Sequence, residues 1–282
     1  MRRRNRLLAA LAVCSAAMAS AAPVHAQDDR PDLALMGTVP IYWGEAAGFD
    51  ELLSGEAPVH WARAVLEEDF ALAPVDYLSP EALAGHRYLL MAQPRGLSGE
   101  ENVALDAWVR EGGTLLLFAD PMMTGESRFH IGDRRRPQDV TLLSPLLAHW
   151  GLELFFDAAQ PAGSQTVDHF GDPLPVNMRG ELRHSGEASY CSIPGDGLLA
   201  HCAIGEGQAL IVADAAMLDL SGPQEHADSA LRNLLAHVFP EIGDDAGKRA
   251  PEVSRHAENG GIPPSHGDHH ESAGQGEGQN PP

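Results

Sequence analysis

The feature that most constrains the fold is a pair of apolar runs joined by one helix-forming segment. The first run covers Tyr88–Ala92, and the second covers residues 114–119. Between them, Ser98 stands where a helix N-cap is expected, and Gly112-Gly113 marks the end of the helix. Two buried strands joined by one helix form a right-handed βαβ crossover. This unit predicts a parallel sheet covered on both faces.

Ligands of such sheets bind beyond the carboxyl ends of the strands. Gln93, Arg95 and Asp120 follow the two apolar runs and are therefore candidate binding residues. Tyr42 and Trp43, in the loop after the first predicted strand, are candidates for stacking on the same ligand. Capping of the core by the two aromatic rings is the alternative, as is a simple Asp-Pro turn for Asp120.

Other segments extend the α/β pattern on both sides. Further strands are predicted over residues 32–36, 70–75, 152–156 and 209–213, and helices over 49–53, 61–68, 142–150 and 224–239. Residues 158–183, which contain three prolines, are predicted to be irregular. The predicted fold class is α/β, a flavodoxin-like three-layer parallel sheet with helices on both faces, plus a small β-hairpin appendage.

A polar loop of about twenty residues follows Asp120-Pro121. Loops of this length in a compact domain are usually functional or disordered. Three consecutive arginines begin at Arg134, which is a candidate for binding a carboxylate, a phosphate or an acidic partner. Pairing of the arginines with Asp133 and Asp139 in solvent is the alternative.

The N-terminal residues have the composition of a secretory signal. Four arginines precede an apolar stretch over residues 7–22, and a small-x-small site lies before Gln27. We therefore expect a signal peptide over 1–26, a periplasmic location and one α/β domain over 27–242. An uncleaved membrane anchor is the alternative.

The charge of the chain limits its partners. The formal net charge is −21, and removal of four arginines and no acid makes it −21 − 4 = −25. Such a chain lacks the basic surface needed to neutralise phosphates, which excludes nonspecific nucleic-acid binding as its main activity.

Two cysteines remain beyond the signal, Cys191 and Cys202. They flank Asp196-Gly197, a pair preferred in two-residue hairpin turns. Pairing of Gly195 with Leu198 across that turn sets the cysteines opposite each other, which predicts a disulfide in an oxidising compartment. A metal pair or a reactive thiol is disfavoured because no ligand pattern lies nearby.

The C-terminal residues, 243–282, are rich in Gly, Pro, His and acidic residues and are predicted to be disordered. His266, His269 and His270 are candidate ligands of a weak Zn²⁺, Cu²⁺ or Ni²⁺ site. A solvated tail without a role is the alternative.

The order of these elements resembles a known family. Residues 105–121 and 142–154 are its most specific segments, and the chain resembles the GldG and intraflagellar-transport-type domain of the class I glutamine amidotransferase-like superfamily. The resemblance covers about residues 32–156, with 209–239 as the closing strand and helix. It implies a noncatalytic module whose partners are components of an ABC-type transporter or a small polar or saccharide-like ligand, with membrane contact only through a partner.

The catalytic branch of that superfamily uses a cysteine on a strained turn after a strand. Here the strands are followed by Gln93-Pro94 and Asp120-Pro121, and neither a G-x-S-x-G motif nor a dinucleotide-binding G-x-G-x-x-G after the first strand is present. No cofactor is predicted. We therefore expect a noncatalytic ligand-binding or scaffolding module. An envelope hydrolase using Asp120 with His130 or Asp133 is the alternative.

Overall fold

A computed structural model describes residues 30–46, 48–55, 58–169, 171–186, 189–218, 222–223 and 225–240. Its strands are β1 (Asp32–Gly37), β2 (Ala71–Pro74), β3 (Tyr88–Ala92), β4 (Thr114–Phe118), β5 (Leu152–Phe156), β6 (Gln165–His169), β7 (Asp172–Val176), β8 (Gly180–His184), β9 (Cys191–Ser192), β10 (Leu199–Ile204) and β11 (Gly207–Val212). Its helices are α1 (Phe49–Ser54), α2 (Trp61–Asp69), α3 (Pro80–Leu83), α4 (Gly99–Arg110), α5 (Ser144–His149) and α6 (Ala227–Val238), with a 3₁₀ turn at Ala216–Leu218.

Seven strands form the central sheet, in the order β2-β1-β3-β4-β11-β10-β9. The strands from β2 to β11 run parallel, and β10 and β9 continue the sheet in antiparallel pairing. One face packs with α2 and α6 around Leu66, Phe118 and Leu231. The other packs with α4 and α5 around Leu105 and Leu147. The predicted α/β fold with helices on both faces of a parallel sheet is confirmed.

The predicted crossover helix has well-defined ends. The Ser98 hydroxyl accepts a hydrogen bond from the Glu101 amide, and the Glu101 carboxylate accepts one from the Ser98 amide at 2.8 Å. This capping box satisfies two of the amides that the first turn of α4 leaves without helical partners. At the other end, Gly112 takes a left-handed φ of 109°, which a glycine adopts without a steric penalty.

The structure departs from the predicted order after α5. The strand over 152–156 exists as β5, but it pairs with β8 in a separate antiparallel ribbon. Its residues alternate between covered and exposed, whereas every residue of β3 and β4 is buried, as a strand inside a parallel sheet requires. The fifth parallel position is therefore taken by β11.

The segment predicted to be irregular contains β6, β7 and β8. Pro173 and Pro175 lie in β7, which pairs only with β6 in a two-stranded ribbon. A strand with a free edge tolerates proline because the missing amide hydrogen bond can fall on the unpaired side. The prolines therefore restrict this region to a ribbon but do not prevent strand pairing.

The predicted cysteine hairpin is confirmed. Cys191 pairs with Cys202 across β9 and β10, and a disulfide joins them. The hairpin does not stand apart as an appendage, because β10 also pairs with β11 and so extends the central sheet.

The predicted signal (1–26), the predicted tail (243–282) and its residues His266, His269 and His270 lie outside the described residues. Within the described ranges, none of the helices combines the length and apolarity that a bilayer-spanning segment requires.

Candidate functional site

Two neighbouring strands of the sheet end in the same short pattern, an apolar residue followed by Ala-Asp. The register sets Phe118 of β4 beside Val212 of β11, and the Ala119 amide continues the pairing with the Val212 carbonyl at 2.8 Å. Because side chains alternate along a strand, Asp120 and Asp214 project from the same face as Phe118 and Val212. The carboxyl edge of the sheet therefore carries two adjacent aspartates, called here the acid pair.

Asp120 is fully buried. Its carboxylate accepts hydrogen bonds from the Met122 amide at 2.7 Å and the Ala215 amide at 2.9 Å. Loss of solvent raises the pKa of Asp120 to about 6, and the two amide hydrogen bonds only partly oppose this rise. The second of these bonds also ties the end of β4 to the segment that follows β11.

Asp214 is 2% exposed, and it accepts hydrogen bonds from the Asn177 amide at 3.0 Å and the Ala216 amide at 2.7 Å. Burial raises the pKa of Asp214 well above its ordinary value, and the charge of Asp120 raises it further. Two amide hydrogen bonds and the charge of Arg179 act in the opposite direction. The two carboxyl groups therefore titrate as a coupled pair, and each keeps its proton to a higher pH than an ordinary aspartate does.

A cover closes this edge, formed by the loop 121–143 and the turn 177–179. Gln93 braces the loop, since its side-chain amide donates to the carbonyls of Asp120 and Gln138, both at 2.9 Å, and its carbonyl oxygen accepts from the Asp120 amide at 2.8 Å. The Gln138 amide in turn donates to the Thr38 hydroxyl. Gln93 is buried, its φ is 47°, and its side chain already uses its hydrogen-bonding groups within the protein.

Arg95 lies at the start of α4. Its guanidinium forms two bonds with the Glu101 carboxylate, at 2.7 and 2.9 Å, and donates to the carbonyls of Asp76 and Gly96. Hydrogen bonding to Arg95 lowers the pKa of Glu101 to about 2. The structure thus places this predicted binding residue in the cap of a helix.

The other predicted binding residues lie in peripheral loops. Tyr42 packs under the Arg63 guanidinium, 4.5 Å from the ring centroid, and contacts Trp43 edge-on at 4.6 Å. Trp43 is 61% exposed. Arg134 is exposed and forms no ion pair with any residue that the structure describes. In the described ranges, none of these three side chains bonds to the acid pair, and their binding role stays a prediction.

The structure also assigns a different partner to Asp120 than His130 or Asp133. Asp133 pairs with Arg135 at 2.7 Å, which lowers the pKa of Asp133, and His130 is exposed, with Nδ1 3.0 Å from the Ile131 carbonyl. The partner is Asp214, which the sequence analysis did not identify. The signal for it was the repetition of apolar-Ala-Asp after two buried runs, LLLFAD and LIVAD.

Two further features of the described chain bear on ligand binding. In those residues, no three His, Cys, Asp or Glu side chains are arranged to hold a metal ion.

A groove of about 800 Å³ lies at the opposite, amino edge of the sheet, between α3 and α4, and its lining includes His86, Arg87, Trp108 and Glu206. It is remote from the acid pair, because these residues precede the strands that the pair follows.

No family model and no curated protein matches this sequence. Solved structures with a similar arrangement include an exo-beta-1,4-mannosidase from Opitutaceae bacterium strain TAV5, at 15% identity and a TM-score of 0.42, which covers 80% of this chain and 37% of that one. The mmIFT52 N-terminal domain is similar at 14% identity and a TM-score of 0.44, and the match covers 73% of this chain and 96% of that domain. A beta-galactosidase from Bacillus circulans sp. alkalophilus is similar at 14% identity and a TM-score of 0.45, and the match covers 76% of this chain and 31% of that one.

Most of these similar structures are glycoside hydrolases, of whose length this chain spans about a third. This finding contradicts the prediction that the chain is a noncatalytic binding or scaffolding module. The mmIFT52 domain agrees loosely with the predicted intraflagellar-transport-type resemblance, and no family model or curated protein supports the GldG part. At these identities and TM-scores residues do not correspond one to one, so any chemistry has to be argued from the side chains of this chain.

Proposed function

We propose that this protein is a hydrolase whose acid–base groups are Asp120 and Asp214. The observation that carries the proposal is the acid pair itself, two buried and electrostatically coupled carboxyl groups at the carboxyl edge of a parallel sheet. General acid–base chemistry needs one protonated and one ionised group at the same pH. Neighbouring carboxyl groups with separated pKa values meet that need.

The two carboxyl groups take complementary roles. Asp120, whose pKa is raised to about 6, is the carboxylate that takes a proton from the attacking water. Burial and the charge of Asp120 both favour the protonated form of Asp214, which donates its proton to the leaving group. After cleavage Asp120 carries the proton and Asp214 is ionised. Transfer of the proton between the adjacent groups restores the starting state, and the net reaction consumes one water molecule.

Access to the acid pair requires the loop 121–143 of the cover to open while the turn 177–179 stays in place, because the two carboxyl groups are 0% and 2% exposed. That loop is held by hydrogen bonds of Gln93 and Thr38 to Gln138, of the Thr141 amide to the Asp120 carbonyl, and of Ser127 and Arg128 to Glu45, and opening has to break these contacts. Closure of such a loop over a bound substrate excludes water other than the attacking one.

The proposal includes a setting and a substrate class. The disulfide between Cys191 and Cys202 supports an oxidising compartment, the periplasm in our prediction. The substrate is a small polar or saccharide-like molecule. The GldG-type relationship belongs to the same proposal, supported by residues 105–121 and 142–154.

Purified full chain tests the proposal with chromogenic glycosides, carboxylic esters and phosphate monoesters between pH 4 and 8. Asp120→Asn and Asp214→Asn each retain a side-chain oxygen for one of their two backbone amides, and kcat should fall by about 10²–10⁴ while the urea midpoint verifies that each variant folds. Asp50→Asn, a change of an exposed aspartate in α1, is the matched control and should leave kcat unchanged.

The pH profile gives a second criterion. The kcat/KM of the wild type should fall on the acid side near pH 6, where Asp120 becomes protonated. The proposal is wrong if the wild type turns over none of the three substrate classes, or if folded Asn variants keep their activity.

A further inference from the structure

The turn between β7 and β8 holds Arg179 in a fixed position beside the acid pair. On one side of it, the Asn177 amide donates to the Asp214 carboxylate at 3.0 Å. On the other side, the Gly180 amide donates to the Ala213 carbonyl at 2.7 Å. A Cβ at Gly180 would lie 2.6 Å from Leu154 and 3.0 Å from Pro121, so this backbone is closely packed. The position of Arg179 is therefore set by the fold.

The Arg179 guanidinium uses only part of its hydrogen-bonding capacity. Nη2 pairs with the Asp196 carboxylate at 2.8 Å, and the side chain as a whole is 27% exposed. Nη1 is buried and has no hydrogen-bond partner among the described residues. Buried donors are normally paired, so an unpaired one on an anchored side chain requires an explanation.

The Asp214 carboxylate does not accept a hydrogen bond from Nη1. The positive charge of Arg179 lowers the pKa of Asp214, yet the groups that donate hydrogen bonds to Asp214 are the amides of Asn177 and Ala216. Nη1 is thus a permanent cationic donor on a turn whose Asn177 amide bonds to the acid pair, and it takes no part in the hydrogen bonds of that pair. A guanidinium cannot lose its proton in a protein, so this donor is available at every pH of interest.

We infer that Arg179 binds an oxyanion group of the substrate, so that the acid pair acts on molecules that carry a phosphate, sulfate or carboxylate. The inference rests on the proposed function for its site, and it narrows the substrate class. The planar guanidinium presents parallel N–H groups that match two oxygens of such a group. A protonated Asp214 does not repel such a group, whereas an ionised one does.

Inorganic phosphate is the probe, titrated calorimetrically into the full chain at pH 6. The wild type should bind phosphate, and Arg179→Gln should weaken binding at least about tenfold. Arg183→Gln is the matched control, because that neighbouring guanidinium pairs with Glu181 in solvent and should leave the affinity unchanged. Asp196→Asn releases Nη2 and should tighten binding severalfold.

Arg179→Lys serves as a second variant, since it keeps the charge but loses the paired N–H groups, and it should bind phosphate more weakly than the wild type. The urea midpoint of each variant verifies folding. Equal phosphate affinity in the wild type and in folded Arg179→Gln and Arg179→Lys would overturn the inference, and so would the absence of phosphate binding by the wild type.

This binding measurement does not depend on turnover. Phosphate binding that needs Arg179 in a protein without hydrolytic activity would remove the proposed function and keep the oxyanion site. Turnover of neutral substrates without phosphate binding would do the reverse.

Discussion

Two buried carboxylates at the carboxyl edge of this sheet have opposite ionisation behaviour. Glu101 is 1% exposed and Asp120 is 0% exposed, and each accepts hydrogen bonds from two backbone amides. Yet the pKa of Glu101 is lowered to about 2, while that of Asp120 is raised to about 6. The difference lies in the neighbour: the Arg95 guanidinium bonds to Glu101 and lowers its pKa, whereas burial raises the pKa of Asp120 and its two amide hydrogen bonds offset this only in part.

Burial and amide hydrogen bonds are therefore insufficient to identify a functional acid. A carboxylate beside a cation stays ionised and acts as a structural cap. A carboxyl group whose nearest charge is another carboxyl group takes up a proton near neutral pH and is able to exchange it. The contrast should therefore be visible in the free energies of unfolding of variants at these carboxylates.

Replacing Glu101 should have the largest effect. Glu101→Ala removes half of the capping box and leaves the buried Leu78 amide without its acceptor, so we expect a loss of about 3 kcal/mol in the free energy of unfolding. Urea denaturation at pH 7 measures it. Glu100→Ala, in the same turn but exposed, should change stability little. Equal losses in both variants would contradict a special role for Glu101.

The pH dependence of this effect has a defined sign. Because the folded state lowers the pKa of Glu101 from 4.5 to about 2, its stabilisation is complete above pH 4.5 and is lost only as the pH falls toward 2. The difference between wild type and Glu101→Ala should therefore stay constant from pH 5 to pH 8.

Replacing Asp214 should have a smaller effect of opposite sign. The raised pKa of Asp120 and Asp214 means that the acid pair favours folding most below pH 3.8, and this contribution is lost as the pH rises through about 6. Asp214→Asn removes the repulsion, so its stability relative to the wild type should rise by about 1–2 kcal/mol between pH 4.5 and pH 8. Unfolding free energies at pH 4.5, 6 and 8 should show this gain disappearing in acid. A gain that is independent of pH would contradict the coupling.

The smallest effect concerns three histidines whose contribution to stability depends on pH in the opposite direction to that of the acid pair. Burial lowers the pKa of His169, His201 and His237, and His237 lowers those of the other two further, against the raising influence of Asp196 and Asp168 on His169. The rings of His201 and His237 are 4.9 Å apart. Their contribution is complete above pH 6.5 and is lost as the pH falls below that value, so acid should weaken this cluster while it strengthens the acid pair.

His201→Gln should therefore reduce the stability lost between pH 7 and pH 5 by about 0.5 kcal/mol, because one coupled proton uptake is removed. The shift in urea midpoint between the two pH values measures it. The exposed His184 in β8 provides the control, His184→Gln. If both variants show the same pH dependence as the wild type, the histidines do not interact as described.

The sequence predicted well the elements whose signals are local. The cap at Ser98, the stop at Gly112-Gly113 and the wholly apolar runs of β3 and β4 are each readable within a few residues. The disulfide followed from the same kind of evidence, because the pair Asp196-Gly197 predicted a register that sets Cys191 opposite Cys202, and the strands have that register. The ribbon strands β5 to β8 were harder, because their apolar alternation is weak and two prolines interrupt it.

By itself, the sequence determined the parallel α/β layers, the helix ends and the opposition of the two cysteines, because each depends on residues close together in the chain. Only the tertiary structure decided which charge each buried carboxylate meets. Arg95 reaches Glu101 from six residues away, within one cap. Asp214 reaches Asp120 only because β11, and not β5, occupies the place beside β4, and strand order across such distances is set by packing of the whole sheet.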